Sequence, residues 1–244
     1  MRIIPPSFEI LAMPDDGEAL RLIETAGRTC YKSEPKHEAT CLHCGAVTPW
    51  ESADNGGDEP PSCAYCEGPV TESSSAPAFV RRIIDSGHHS VIEHVSASVR
   101  IVCDRGVTHE LVRHRLASFS QESTRYCNYG SGKFGREITV IRPYFWEAGE
   151  REYTLWRRAM VAAESAYLGL LDAGATPQEA RSVLPNSLKT EIVVTANFRE
   201  WRHIFTLRTA KAAHPQMREI MLPLLAEFKR RIPIVFDDIG GEQE

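Results

Sequence analysis

Apolar residues along this chain follow two periodicities, and the switches between them mark most of its elements. Phe8 to Ala12 reads as a strand. Behind Asp15 or Asp16 as a cap, Leu20, Ile23 and Ala26 recur at helical spacing and predict a helix to about Ser33. Phe79, Val80, Ile83 and Ile84 form a second helical stripe that stops at Gly87. Val95 to Val102 alternates and is β-branched, which predicts a strand. Val107 to Ala117 reads as a helix with Glu110, Arg113 and His114 on one face, away from Val107, Leu111 and Leu116. A short strand at Ile138 to Ile141 precedes Pro143, and a long helix runs from about Glu147 to Leu171. Thr176-Pro177-Gln178-Glu179 has the cap, the first-position proline and the third-position glutamate of a helix start. Ile192 to Asn197 is a strand, followed by helices from Phe198 to Ala212 and from Pro215 to Arg230. The elements alternate without a regular βαβ rhythm, so the expected class is α+β.

Between residues 35 and 75 this texture breaks. The stretch is rich in Gly, Pro, Ser and acids and reads as an insert in a domain spanning 1–244. It holds Cys41-Leu42-His43-Cys44 and Cys63-Ala64-Tyr65-Cys66, two C-x2-C pairs separated by eighteen residues. Two such knuckles surround a tetrahedral Zn²⁺ with four thiolates, as in a zinc ribbon. Four cysteine ligands leave no open position for water, so the expected zinc is structural, held by Cys41, Cys44, Cys63 and Cys66.

Composition narrows the functional classes. The 244 residues suffice for one substantial core plus a small insert. A formal net charge of -5 argues against a dedicated nucleic-acid binder. No apolar run has the length of a bilayer span, and the N-terminal residues lack the apolar stretch of a signal peptide. The expectation is a cytoplasmic protein that engages neither membrane nor nucleic acid.

Against that acidic background the segment from Arg113 to Tyr126 is locally cationic, with Arg113, His114, Arg115 and Arg125 among serines and aromatic rings. Guanidinium forks and hydroxyls match phosphate oxygens. A solvated arginine-rich helix end has the same composition, and the pattern alone does not separate the two readings. Arg181, Arg199, Arg202 and Arg208 add further cations downstream. Gly130-Ser131-Gly132-Lys133-Phe134-Gly135 matches the dinucleotide fingerprint in letters only. A strand-like stretch follows it where that fingerprint requires a helix, so it reads as a glycine turn. The segment His88-His89-Ser90-Val91-Ile92-Glu93-His94 fits no standard metal spacing and reads as a polar loop facing a ligand.

These residues, taken together, resemble the flavin-dependent thymidylate synthases. The family signature is R-H-R, seven residues, then S; here it is Arg113-His114-Arg115, seven residues, Ser123. The resemblance extends to the His88 to His94 segment, to Arg181-Ser182-Val183-Leu184-Pro185, to Asn197-Phe198-Arg199, and to Arg208 with His214-Pro215-Gln216. It implies an α+β fold particular to that family. It also implies reductive methylation of dUMP, with methylenetetrahydrofolate as carbon donor, FAD as hydride carrier and NADPH as reductant. The sites would be shared between subunits of a homotetramer. By the same resemblance Ser90, Arg113, His114, Arg115, Gln121, Asn197, Arg199 and His203 match FAD-binding positions. Glu110, Arg113, Gln121, Glu122, Ser123, Thr124, Arg125 and Arg181 match positions around dUMP. Arg208 matches the arginine facing the uracil ring, and His88 a histidine near flavin and folate.

Three departures stand out. The cysteine-rich insert lies outside the common family pattern. Glu110 stands where glutamine also occurs, and a carboxylate near phosphate repels it unless it pairs with Arg113 or His114. His203 replaces a more familiar asparagine. Ser123 has no adjacent base, so phosphate binding is its plainer role. Cys30, Cys103 and Cys127 show no activating pattern either, and Cys103 reads as core. The competing reading is a zinc-ribbon RNA-binding or regulatory module, which the acidic net charge disfavours.

Overall fold

The computed structural model describes residues 1–30, 32–33, 37–49, 62–63 and 65–240. In chain order the elements begin with β1 (Arg2–Ile4), β2 (Ser7–Ala12), α1 (Asp16–Thr29), β3 (His37–Cys41), β4 (Val47–Pro49), β5 (Val70–Ser74) and α2 (Ala76–Asp85). Then come β6 (Ser96–Asp104), α3 (Arg105–Leu111), β7 (Ala117–Gln121), β8 (Thr139–Ile141), α4 (Arg151–Asp172) and α5 (Pro177–Ala180). The chain closes with β9 (Lys189–Asn197), α6 (Phe198–Arg208), α7 (Pro215–Arg231) and α8 (Pro233–Phe236).

The central sheet runs β2-β6-β9-β7, antiparallel at every pairing. β6 and β9 pair along their whole length, from Ser96 opposite Asn197 to Asp104 opposite Lys189. Their alternation sends Val99, Ile101 and Cys103 with Ile192, Val194 and Ala196 to one buried face. Helices cover that face, as expected of an antiparallel sheet packed on one side. On the other face Ser98 Oγ lies 2.8 Å from Thr195 Oγ1. The helical layer is tied together by aromatic rings. Phe205 lies 5.5 Å from Trp201, and Phe228 lies 5.2 Å from Trp201, 5.0 Å from Phe205 and 5.1 Å from Phe236. The Trp201 Nε1–H also donates to Ala97 O at 3.1 Å, fixing α6 to β6. A second, smaller core gathers Ile138, Val140, Trp156, Met160, Tyr167 and Leu188 under α4. The parallel pair β1 and β8 lies beside it.

The α+β class and most elements agree with the periodicity, and the disagreements have local causes. The helix expected over Val107 to Ala117 starts at Arg105, because the Asp104 side chain caps it by accepting from Val107 N at 2.8 Å. It stops at Leu111, and the residues from Ala117 onward pair with β9 as a sheet-edge strand. Arg113 and His114 are therefore in the turn after α3 and not on its face. α1 ends short of Ser33, where Lys32 takes a positive φ of 49°. α4 starts at Arg151, after Gly149 at φ 110°. α6 ends at Arg208, and the next residue, Thr209, caps it by donating its hydroxyl to Phe205 O at 2.8 Å. The glycine run at 130–135 is a turn that leads into a strand, with Gly135 at φ 68°. No helix among the described residues is long and apolar enough to cross a membrane.

Phe228→Ala is expected to lower the unfolding free energy by about 3–5 kcal/mol through lost burial and a residual cavity. Urea denaturation checks this as a lower midpoint at unchanged slope. A loss under about 1 kcal/mol would show that the ring cluster does not anchor the helical layer.

Candidate active site

Two elements distant in sequence build a cleft that gathers Arg113, Arg115 and Arg208. The turn after α3 is closed by Arg113 N on Glu110 O at 3.3 Å and His114 N on Leu111 O at 3.2 Å. It presents Arg113, His114 and Arg115 before β7 begins. Opposite it stands α6, whose start is set by the Asn197 side chain accepting from Glu200 N at 2.8 Å. Trp201, Ile204 and Phe205 are buried in the core, so Glu200, His203, Leu207 and Arg208 face the turn. Together these residues enclose a cleft of about 380 Å³.

Arg208 is held at three points. Its NH1 donates to Glu110 Oε2 at 2.8 Å, its NH2 to Glu110 O at 2.9 Å and its Nε to His114 Nε2 at 3.1 Å. A guanidinium has five N–H donors, so two remain for a ligand. Glu110 is thus paired with Arg208, rather than with Arg113 or His114. His114 is only 5% exposed. Because its Nε2 accepts from Arg208, the proton of the neutral ring sits on Nδ1. That atom lies 3.4 Å from Glu200 Oε1. Burial, then the charges of Arg208 and His203, hold the His114 pKa down to about 4. Burial also pushes Glu200 upward, with His203 opposing. The His203 ring stands edge-on to His114 at 5.4 Å.

His114, Glu200 and His203 bring three potential ligand atoms close together. Their chemistry disfavours a metal: Nδ1 of His114 carries its proton, and Arg113, Arg115 and Arg208 line the same cleft. Arg113 and Arg115 are exposed and make no ion pair among the described residues. The cleft is therefore net cationic and suited to an anion.

The other expected residues form separate groups. At the far end of β7, Arg181 NH1 donates to Thr124 Oγ1 at 3.4 Å, and Ser123 Oγ accepts from Arg125 N at 3.3 Å. Arg125 is exposed, with its guanidinium 5.6 Å from the Tyr126 ring. Gln121 donates to Thr108 Oγ1 at 3.0 Å and Thr190 Oγ1 at 3.2 Å, which leaves only its carbonyl for a ligand. Glu122 accepts from Tyr129 at 2.9 Å and from Lys189 at 3.0 Å, so both of its oxygens are engaged. In a third group Arg199 NH1 bonds Glu93 Oε1 at 2.5 Å, joining α6 to the turn that carries Ser90. His88 and Ser90 are exposed there. Glu200 was missed from sequence, since a buried acid in a helix's first turn looks like an ordinary dipole partner.

The cysteines of the insert converge as expected. Cys41 and Cys66 Sγ lie 3.5 Å apart, and Cys44 and Cys63 Sγ 3.7 Å. Tetrahedral Zn–S bonds of about 2.3 Å require sulfurs about 3.8 Å apart. The knuckle N–H groups of His43 and Cys44 point at Cys41 Sγ from 3.3 and 3.4 Å. The Cys44 N–H foremost, against burial, lowers the Cys41 thiol to about 6. The Gly68 N–H pulls Cys66 down, but hydrogens shared with the other cysteines, together with burial, leave it pushed up to about 12. The described part of the insert forms a three-stranded antiparallel sheet, β4-β3-β5. The rest of the 35–75 span lies outside the described residues.

A family model described as thymidylate synthase complementing protein matches residues 12–234. The flavin-dependent thymidylate synthase of Geobacter sulfurreducens is 38% identical over 169 residues, covering 69% of this chain and 71% of that protein. That of Mycolicibacterium gilvum is 32% identical over 250 residues, covering 96% and 84%. Among solved structures, a UMP/dUMP methylase from Streptomyces cacaoi bound with 5-Br UMP superposes with a TM-score of 0.67. It shares 18% identity over 97% of this chain and 95% of that one, a likeness of fold. The chain belongs to the flavin-dependent thymidylate synthase family, and with that to the enzymes of methyltransferase type.

The depressed His114 pKa carries a sign. The unfolded ring, near its ordinary pKa of 6.5, binds a proton that the folded ring refuses down to about 4. Its contribution to stability is complete above pH 6.5 and is lost as pH falls from there toward 4, by an amount on the order of 1–3 kcal/mol. Urea denaturation of the protein and of His114→Gln at pH 7 and pH 5 checks this. The variant is expected to lose less stability between the two pH values, and equal losses would refute the assignment.

Proposed function

We propose that this protein makes dTMP from dUMP by reductive methylation. Methylenetetrahydrofolate is the carbon donor, FAD the hydride carrier and NADPH the reductant, and the sites are completed between subunits of a homotetramer. The single observation that carries this reading is the clamped guanidinium of Arg208 in a cleft whose other arginines have no counter-ion among the described residues.

The residues present fit a flavin dinucleotide. Its pyrophosphate needs fixed positive charge, and Arg113 and Arg115 supply it without an ion-pair partner among the described residues. His114, neutral and oriented, and His203 offer ring contacts. Asn197 uses its carbonyl as the α6 cap and keeps its amide N–H groups. Arg199 and Ser90 complete the proposed FAD set, while Arg199 also answers Glu93. When bound, FAD supplies the hydride that reduces the transferred carbon.

The chain's own groups handle the pyrimidine. Arg208, always charged, faces the uracil and stabilises negative charge on its oxygens and N3. That makes C5 electron-rich without a thiolate adding to C6. No cysteine lines the Arg208 cleft among the described residues, and burial pushes the Cys103 and Cys127 thiols upward. Ser123, Thr124, Arg125 and Arg181 take the phosphate of dUMP, while Glu110, Gln121 and Glu122 brace the surrounding elements. His88 has a positioning or proton-handling role toward flavin and folate. β7, an edge strand spanning about 13 Å, separates the Arg113 group from the Arg125 group. A second copy set against that edge would bring one chain's cleft to another's phosphate residues, which supports the shared-site reading. The four insert cysteines hold a structural zinc.

Purified protein is expected to take up FAD and show its absorbance band. Arg208→Ala should retain the flavin while dTMP formation falls by about 10²–10³-fold. A variant that loses flavin yet keeps turnover would overturn the role of Arg208. Cys44→Ser combined with Cys63→Ser should release zinc, measured by metal analysis, and leave flavin binding and dTMP formation largely intact. Complete loss of activity in a still-folded oligomer would instead place the insert in the working site.

A further inference from the structure

We infer that Glu200 is a positioning residue for Arg208, acting through the tautomer of His114. This rests on the proposed role of Arg208 and extends it by one link. The chemistry is that of donors and acceptors. Arg208 Nε–H can only donate, so the facing His114 Nε2 must offer a lone pair. A neutral imidazole has one N–H, which must then be on Nδ1. Glu200 Oε1, 3.4 Å away, is the acceptor facing that atom.

Glu200 is itself 7% exposed. A carboxylate so placed is costly unless something answers it. It has no side-chain hydrogen bond to an arginine or lysine among the described residues; His114 Nδ1 is the N–H group facing it, with His203 alongside. The start of α6 supplies a further reason for its position, because the helix dipole favours a carboxylate there. The arrangement therefore reads as one chain of contacts: Glu200 Oε1 faces Nδ1 at 3.4 Å, Nε2 accepts from Arg208, and Glu110 receives the rest of the guanidinium fork. Without Glu200 the buried Nδ1–H has no acceptor, a cost that offsets the preference imposed by Arg208 and lets the ring proton move to Nε2. Two N–H groups then meet across 3.1 Å, and Arg208 loses one of its three anchors. Its plane is then fixed by Glu110 alone.

The ring proton can be read without turnover. The flavin-free protein, labelled with ¹⁵N-histidine, gives distinct magic-angle-spinning NMR signals for the two tautomers, assigned by difference from His114→Gln. The expected result is Nδ1–H in the wild type, a shift to Nε2–H in Glu200→Ala, and Nδ1–H again in Glu200→Gln, which keeps a carbonyl acceptor. Glu200→Leu fills the same buried space without an acceptor and serves where the alanine variant does not fold. In steady state, the variants lacking the acceptor should lose about tenfold to hundredfold in kcat, with the KM for dUMP moving less. Glu200→Gln should recover most of that loss.

An unmoved Nδ1–H signal in a folded Glu200→Ala or Glu200→Leu protein overturns the inference. So does an equal kcat loss in Glu200→Gln, because charge rather than hydrogen-bond acceptance would then be at work. Absence of dTMP formation by the wild type, with the tautomer shift still seen in Glu200→Ala, would count against the proposed function and leave this inference standing.

Discussion

A guanidinium keeps its charge at any working pH, so a fold that half-buries one must answer it or lose stability. Arg208 is the clearest instance here. The protein answers it with one carboxylate, one carbonyl and one neutral ring, and two of these partners come from the same short helix, α3. The pairing neutralises the charge only in part, since Arg113 and Arg115 line the same cleft and make no ion pair among the described residues. A neutral His114 is what makes this possible. A protonated ring would put a second positive group 3.1 Å from the guanidinium in a low-dielectric pocket. The depressed pKa and the three-point clamp are two expressions of the same electrostatic demand.

The sheet delivers these groups to one place. β9 pairs with β6 over its whole length and then passes directly into α6 at Asn197. β6 passes directly into α3 at Asp104. The two helices therefore leave adjacent strands at opposite ends, and the turn after α3 must travel back along the sheet before β7 begins. That return brings His114 and Glu110 against Arg208. The ring cluster around Phe228 holds α6 in rotation, so Trp201 and Phe205 face inward and His203 and Arg208 face the turn. Core packing thus fixes which side of α6 is chemical.

Much of this could be read from the sequence, and the failures share a physical cause. β6, β9, α2 and α7 bury one face each, so their periodicity announces them. β7 does not. Apart from Phe119 its residues, Ala117, Ser118, Ser120 and Gln121, are small or polar, and the strand exists because β9 offers it a free edge. Val107, Leu111 and Leu116 meanwhile imitate a longer helix. The cationic members of the site were legible through their signature spacing. Their acidic answers were not: Glu110 and Arg208 are 98 positions apart, and nothing local says which acid meets which base. Glu200 was hidden more deeply, because its partner is a histidine whose proton position only the three-dimensional arrangement decides.

The distribution of unanswered charge also bears on assembly. Natural surfaces scatter arginines among acids, and this chain does so with Arg81 and Asp237 or Arg136 and Asp172. Arg113, Arg115 and Arg125 break that habit, in a chain whose net charge is -5. Two of them precede β7 and one follows it, at the exposed edge of the sheet. An edge strand left bare invites pairing with other chains. Cationic groups at both ends of that edge discourage indiscriminate stacking and favour a partner that arrives with an anion between the chains. A nucleotide or dinucleotide phosphate meets that condition, so under the proposed function ligand binding and subunit association would draw on the same charges. In the proposed shared site, guanidiniums that would repel one another across an interface are reconciled by what they bind.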